Sequence, residues 1–227
     1  MLGLTTAACL IRDTQVHVRR ELTGPSRAPR RHRFVAMCQA GLVTKVADVV
    51  AWGLLPLYLI ERGVGIATVA AIGALYPAVW GACQPLTGAL SDRMGRSGLV
   101  TAGLLCQSTA LLLLAAAGSV SAWVTGVAVL GVGTALAYPV LLAAAGDEVA
   151  PTRRASAIGL YRFWRDLGFV AGALAGGTLA DAVGTPAALE ALAGAAAASG
   201  LLAAAGMRLD HAILARAVGG TIVEPSE

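Results

Sequence analysis

The sequence predicts an all-α membrane protein in which six transmembrane helices form two inverted three-helix units. Of its 227 residues, 57% are hydrophobic and only 13% are charged, which is too little charge for the surface of a soluble domain. The hydrophobic residues collect in runs of about 20 or more. Apolar and polar residues do not alternate within these runs, so helices are favoured over strands.

Six runs are long enough to cross about 30 Å of hydrocarbon as helices. The predicted spans are Phe34–Ile60, Gly65–Leu90, Gly98–Ala117, Ala122–Ala145, Ser156–Ala180 and Pro186–Met207. They divide the chain into a six-span domain at 34–208, preceded by residues 1–33 and followed by a polar tail at 209–227. Met1–Ile11 is too short to span, and we interpret it as the end of a preceding helix. Arg12–Arg33 is then a basic, proline-broken linker.

The basic residues lie mostly on one side of the predicted spans. Alternate loops and both ends hold thirteen of the 17: Arg12, Arg19, Arg20, Arg27, Arg30, Arg31, Arg33, Arg93, Arg96, Arg153, Arg154, Arg208 and Arg216. The opposite loops hold only Arg62. Positive loops stay in the cytoplasm. We therefore expect both termini in the cytoplasm and the protein in the plasma (inner) membrane. The net charge of +4 therefore reports orientation, and we expect no nucleic-acid partner.

A short internal repeat supports the two-unit arrangement. Residues 88–95 and 177–184 both read G-x-L-x-D-x-x-G, and each follows the second span of its unit. Two three-helix units of opposite orientation are common in transporters. Chance similarity between glycine-rich helix ends is the competing explanation.

Charged residues inside the first span are the main functional candidates. Lys45, Asp48, Trp52 and Pro56 share one helical stripe, and a charge in hydrocarbon costs at least about 2.5–3.5 kcal/mol. One interpretation is a substrate or ion-coupling site at Asp48 and Lys45, with Trp52 as a stacking wall. The other is a Lys45–Asp48 ion pair that only satisfies itself. Pro56 is expected to bend the helix and free a carbonyl.

The fifth span carries a second charged group. Arg162 and Asp166 are four residues apart and can pair along one face. Arg165 is a further charge, and all three residues lie in the cytoplasmic half, where arginine can snorkel outward. We interpret them as a cytoplasmic gate network, with a substrate site as the alternative. A stripe that predicts close helix packing follows: Gly168, Gly172 and Gly176.

Other polar residues in the spans have structural explanations. Tyr76-Pro77 and Tyr138-Pro139 are interpreted as packing around a kink, and direct substrate contact is the alternative. Gln84 and Gln107 reach either a pore or a neighbouring helix.

The loop after the second span reads G-x-L-x-D-R-x-G-R and contains Gly88, Asp92, Arg93, Gly95 and Arg96. This pattern resembles the signature loop of the major facilitator superfamily of transporters. The resemblance extends over Phe34–Met207, and it includes the P-x-R-R-A-x-x-x-G-x-Y-R pattern that enters the fifth span. The chain looks like the C-terminal six-helix half of such a transporter.

The resemblance implies transport of a small solute by alternating access between two six-helix halves, driven by an ion gradient. This chain would supply one half, as a half-transporter or a truncated transporter. Its expected partners are the lipid bilayer, a small-molecule substrate, and either a second six-helix half or another copy of itself. The alternative is a non-transporting membrane subunit or inactive fragment held by helix packing.

The loop after the fourth span offers carboxylates on the same side as the signature loop. Bonds from Arg96 to Asp147 or Glu148, together with Asp92, are expected to lock the cytoplasmic ends in one conformation.

An enzyme is not expected. The sequence shows no Ser/His/Asp set and no phosphate-binding loop, and its three histidines lie outside the predicted spans. The four cysteines form no C-x-x-C pair. We therefore predict no metal and no cofactor.

Overall fold

A computed structural model describes residues 31–219, with side chains for 31–91, 95–150 and 152–207. Within this part the chain is helical apart from the short connections between the helices. We label the six long helices α1 (Arg31–Glu61), α2 (Ile66–Met94), α3 (Arg96–Ala116), α4 (Val120–Asp147), α5 (Arg154–Val183) and α6 (Thr185–Gly219). A 3₁₀ turn at Pro151–Arg153 joins α4 to α5. The predicted preceding helix, most of the basic linker and residues 220–227 lie outside the described residues.

The all-α fold class and the six spans are confirmed. Each helix contains a segment long and apolar enough to cross a membrane, and these segments end within three residues of the predicted bounds. The last helix continues beyond its apolar segment, which ends at Met207, to Gly219. Part of the predicted tail is therefore helical.

The first helix is continuous but irregular. It consists of Arg31–Thr44, Val46–Val49, a π turn at Val50–Leu54, and Leu55–Glu61. Pro56 follows the π turn, and because proline has no N–H the carbonyl four residues earlier loses its helical partner. Single π turns absorb such a mismatch and are frequent at functional sites. The irregularity lies beside Asp48, where the sequence places its deepest charge.

The helices contact one another in a pattern that repeats. The contact of α1 with α5 corresponds to the contact of α4 with α2. The contact of α3 with α4 corresponds to the contact of α6 with α1, and α3 also packs on α6. Exchanging the first three helices with the last three leaves this pattern unchanged. Because each unit has an odd number of spans, the second unit starts from the opposite side of the bundle. The predicted inverted units are therefore present.

The backbone at the ends of the sequence repeat is also the same in both units. Gly95 has φ 77° and ψ 149°, and Gly184 has φ 87° and ψ 155°. Each donates its N–H to the carbonyl four residues earlier, on Ser91 at 3.2 Å and on Ala180 at 2.9 Å. The positive φ favours glycine at both positions. This shared geometry makes chance similarity a poor explanation of the repeat.

The core is divided by a layer of buried polar side chains. One apolar cluster contains Leu111 and Leu114 of α3 with Val127 and Leu130 of α4. The second cluster contains Leu104 of α3 and other residues nearer the opposite end of the bundle. Between the two clusters lie the buried polar residues Thr44, Gln107 and Thr134. This layer positions the candidate site.

Candidate functional site

Asp48 is the centre of a buried charged cluster. Its side chain is 2% exposed. The Tyr76 hydroxyl donates to Asp48 Oδ1 at 2.6 Å. On the other carboxylate oxygen, Lys45 forms an ion pair and Arg165 Nη2 lies at 3.7 Å. One carboxylate is thus held by side chains from α1, α2 and α5.

The cluster continues into a chain of hydrogen bonds across the bundle. The Thr134 and Tyr76 hydroxyls are 2.9 Å apart, and Gln107 Nε2 donates to Thr134 Oγ1 at 2.8 Å. Because Tyr76 gives its proton to Asp48, its oxygen accepts from Thr134, which in turn accepts from Gln107. The order of donation is Gln107, Thr134, Tyr76, Asp48. Five helices, α1 to α5, therefore contribute to one polar network.

The network lies near mid-depth. Asp48 is 17 residues from Arg31 and 13 from Glu61, which at 1.5 Å per residue is roughly 26 Å and 20 Å from the two ends of α1. An ionised group at this depth is costly unless it is paired. The three donors around Asp48 supply that pairing.

Aromatic rings form a wall beside the charges. Trp52 meets Tyr76 edge-on with ring centroids 5.8 Å apart. Trp80 lies between Tyr76 and Tyr138, with its ring centre 6.3 Å and 5.7 Å from theirs, respectively. The Arg165 guanidinium carbon is 4.1 Å from the centre of the Tyr138 ring, a cation–π contact. We call Trp52, Tyr76, Trp80 and Tyr138 the aromatic wall.

Arg165 differs from its predicted position. Its side chain is 8% exposed and points to Asp48, so it does not snorkel outward as the sequence would allow. Asp166 accepts from Arg165 Nη1 at 3.3 Å, rather than pairing with Arg162 as expected. Arg162 is exposed. The three residues do not form a single network, and Arg165 belongs geometrically to the cluster around Asp48.

The glycine stripe explains why Arg165 reaches α1. Gly168, Gly172 and Gly176 are buried, and Arg165 lies on the same face one turn earlier. A Cβ on Gly168 would overlap the Leu42 carbonyl of α1. Small residues allow the two helix backbones to approach this closely. This close approach places the Arg165 guanidinium next to the Asp48 carboxylate.

Sequence reasoning missed two members of the network. The sequence pattern predicts packing at a kink for Tyr76 and carries no prediction for Thr134. Gln107 bonds a neighbouring helix, which was one of its two expected roles. Periodicity offers one signal for Thr134: it lies two turns after the buried Val127 and two turns before the buried Leu141.

A second ionic cluster ties the helix ends near the signature loop. Arg96 pairs with Asp147, and Arg154 Nη2 is 3.2 Å from the same carboxylate. Arg33 Nη1 lies 3.0 Å from Glu148 Oε1. These bonds connect the starts of α1, α3 and α5 to the end of α4. Gly88 is exposed in the last turns of α2.

Two residues of the predicted gate, Asp92 and Arg93, have side chains outside the described residues. Their expected role stays a prediction.

Two inverted three-helix units that hold paired charges at mid-depth define a class, the membrane transport proteins built from inverted repeats. The profile of the Major Facilitator Superfamily matches residues 36–219. The match covers most of the chain, which therefore belongs to the major facilitator superfamily.

A solved structure shares the fold. The crystal structure of a mutant of the peptide transporter POT in complex with sulfate is similar, with a TM-score of 0.65 and 19% sequence identity. The match covers 93% of this chain and 48% of that chain, so this chain spans about half the length of that transporter. A search of curated protein sequences found no match.

Proposed function

We propose that the chain is one six-helix half of a secondary transporter that moves a small solute by alternating access, driven by an ion gradient. The observation that carries the proposal is the buried Asp48 carboxylate, bonded at mid-depth to Lys45, Tyr76 and Arg165. A carboxylate in a membrane helix is costly and is retained mainly where it serves an ion or solute pathway.

Asp48 is suited to coupling because its partners come from different helices. Protonation of the carboxylate would weaken its bonds to Lys45 and Arg165 and change how α5 is held against α1. An ion can shift a conformational equilibrium only by interacting differently with the two states. The bonds between α1 and α5 supply such a difference.

The face of α5 supports a second six-helix unit. Asp166 has a side chain that is 65% exposed and lies 12 residues from the start of α5 at Arg154, roughly 18 Å along the helix. An exposed charge at that depth cannot face hydrocarbon at low cost. We propose that this face lines an aqueous cavity closed by a second half, or by another copy of the chain.

The distribution of burial agrees with that arrangement. The apolar segments of α2 and α5 are each 17% buried within the unit, whereas those of the other four helices are 44–56% buried. α2 and α5 are equivalent helices of the two inverted units. We propose that they carry the contact with the second half, with both termini in the cytoplasm and the protein in the plasma membrane.

A non-transporting membrane subunit is the second candidate. The observation that favours it is the complete pairing of Asp48, whose two carboxylate oxygens both have donors. In this case the cluster would only hold helices together.

Dye-loaded proteoliposomes containing the full chain test the choice. A pH gradient is imposed, a panel of small solutes is added, and proton influx is followed with and without each solute. We expect solute-dependent influx that Asp48→Asn abolishes. Asp181→Asn is the matched control, because Asp181 is an exposed carboxylate at the far end of α5. Influx equal to that of empty liposomes with every solute tested would favour the subunit.

A further inference from the structure

We infer that the solute is a small organic anion with a planar apolar body, such as an aromatic carboxylate, and that Arg165 and the Trp80 indole N–H bind its charged end. The inference rests on the transport function proposed above and names the chemical class of the solute. Three features of the site carry it: the balance of buried charge, two buried donors and the aromatic wall.

The buried charge is positive in excess. The cations Lys45 and Arg165 have side chains that are 16% and 8% exposed. They share one buried anion, Asp48, whose side chain is 2% exposed. Asp166 also contacts Arg165, but its side chain is 65% exposed. Solvent screens that outer charge far more than the buried ones. An anion entering the cluster would offset the remaining positive charge.

Two buried donors on side chains that flank Tyr138 need an acceptor. Arg165 Nε and Trp80 Nε1 are both buried, and neither has a hydrogen-bond partner within the described part of the chain. Both side chains lie against the Tyr138 ring: its centre is 4.1 Å from the Arg165 guanidinium carbon and 5.7 Å from the Trp80 ring centre. Arginine and the indole N–H can only donate, and buried donors are normally paired. A carboxylate or similar oxyanion supplies strong acceptors for both.

The aromatic wall suits the other end of the solute. Trp52 is 49% exposed and meets Tyr76, which in turn neighbours Trp80. Rings arranged in this way offer faces and edges on which a planar apolar body can pack. Apolar walls combined with a few convergent polar groups are the usual composition of a small-molecule site.

Binding of radiolabelled phenylacetate to the full chain in detergent tests the inference. The competitors 2-phenylethanol and phenethylamine keep the ring and change the charge from negative to neutral and positive. We expect phenylacetate to compete at least about tenfold better than the alcohol, the gain typical of hydrogen bonds to a charged group, and the amine to compete least.

Two variants assign the binding groups. Arg165→Gln is expected to remove the preference for the anion. Trp80→Phe keeps the ring and deletes the N–H, and it is expected to weaken phenylacetate binding about three- to tenfold. The matched controls are Arg153→Gln and Trp164→Phe, which make the same chemical changes at exposed positions of the 3₁₀ turn and α5, and they are expected to bind as the unmodified chain does. Trp80→Phe remains informative where Arg165→Gln fails to fold.

Equal competition by the three compounds, a preference for the amine, or no saturable binding would overturn the inference. An anion preference that survives in both variants would overturn the assigned site. Solute-dependent proton influx sensitive to Asp48→Asn, without anion preference, would overturn this inference alone. Anion binding without proton influx would instead overturn the transport function.

Discussion

Asp48 is held at mid-depth by three donors, and each donor comes from a different helix. The removal of one partner from such a cluster leaves a buried charge or acceptor without compensation, which costs more than the pair itself contributes. Variants of this cluster therefore report on it more sensitively than variants of exposed ion pairs do.

Asp48→Asn leaves Lys45 and Arg165 without their buried counter-charge. We expect it to lower the free energy of unfolding by about 3–5 kcal/mol, measured as thermal unfolding of the full chain in detergent. Asp181→Asn, at an exposed site, should change it by less than about 0.5 kcal/mol. Equal effects of the two variants would mean that Asp48 is solvated.

Tyr76→Phe removes the hydroxyl that joins Asp48 to Thr134. One carboxylate oxygen and the threonine hydroxyl then lose a partner, so we expect a loss of about 1–3 kcal/mol in the same assay. Tyr58→Phe is the matched control, because the Tyr58 hydroxyl accepts from Arg62, an exposed residue at the end of α1. It should cost less than Tyr76→Phe, and the reverse order would contradict the network.

The sequence predicts part of this cluster. Lys45 and Asp48 are three residues apart on one helix, so their pairing follows from helical periodicity. Tyr76 and Arg165 reach Asp48 from positions 28 and 117 residues further along the chain, and such contacts depend on how each helix is rotated about its axis. The glycine stripe contains the missing information: Arg165 shares a face with Gly168, and that face packs on α1.

At the scale of the elements, the α1–α5 contact determines the position of the site. The irregular turn in α1 and the glycines of α5 lie opposite each other. Gly172 faces Val46 and Val49, and Gly176 faces Leu54. Any side chain that separates these helices would also move Arg165 from Asp48.

Gly168→Ala tests this contact. The added Cβ would overlap the Leu42 carbonyl, so α5 must move, and we expect a loss of about 1–3 kcal/mol or more. Gly177→Ala is the matched control, because a Cβ there meets nothing within 4 Å; it should be neutral or stabilising by up to about 1 kcal/mol. Thermal unfolding of both variants measures the difference, and similar stabilities would exclude the close contact.

Element boundaries are predictable here because apolar length alone identifies a transmembrane helix, and glycines at 95 and 184 end α2 and α5. The π turn is different. Pro56 predicts a disturbance of α1, but the form of that disturbance depends on the helices packed around it.

At the scale of the whole molecule, the six helices form two equivalent units, and the surfaces of α2 and α5 are the least buried. The sequence repeat predicts the units. It cannot predict which faces remain exposed, because that depends on how the helices pack.

The proposed orientation can be tested by labelling intact cells with a membrane-impermeant thiol reagent. In a cysteine-free background, Arg62→Cys and Ser119→Cys should react from outside, whereas Arg153→Cys should react only after the cells are opened. All three positions are exposed. Alternating charge across six spans predicts this pattern, and external labelling of Arg153→Cys would contradict it.

The central claim is that the cluster around Asp48 opens alternately to the two sides of the membrane. Trp52→Cys measures this most directly, because Trp52 is 49% exposed and lies beside Asp48 in the aromatic wall. With Cys9, Cys38, Cys83 and Cys106 replaced by alanine, the impermeant reagent is applied in turn to each face of sealed vesicles. The account predicts modification of Trp52→Cys from both faces. Modification from one face only, or from neither, would contradict it.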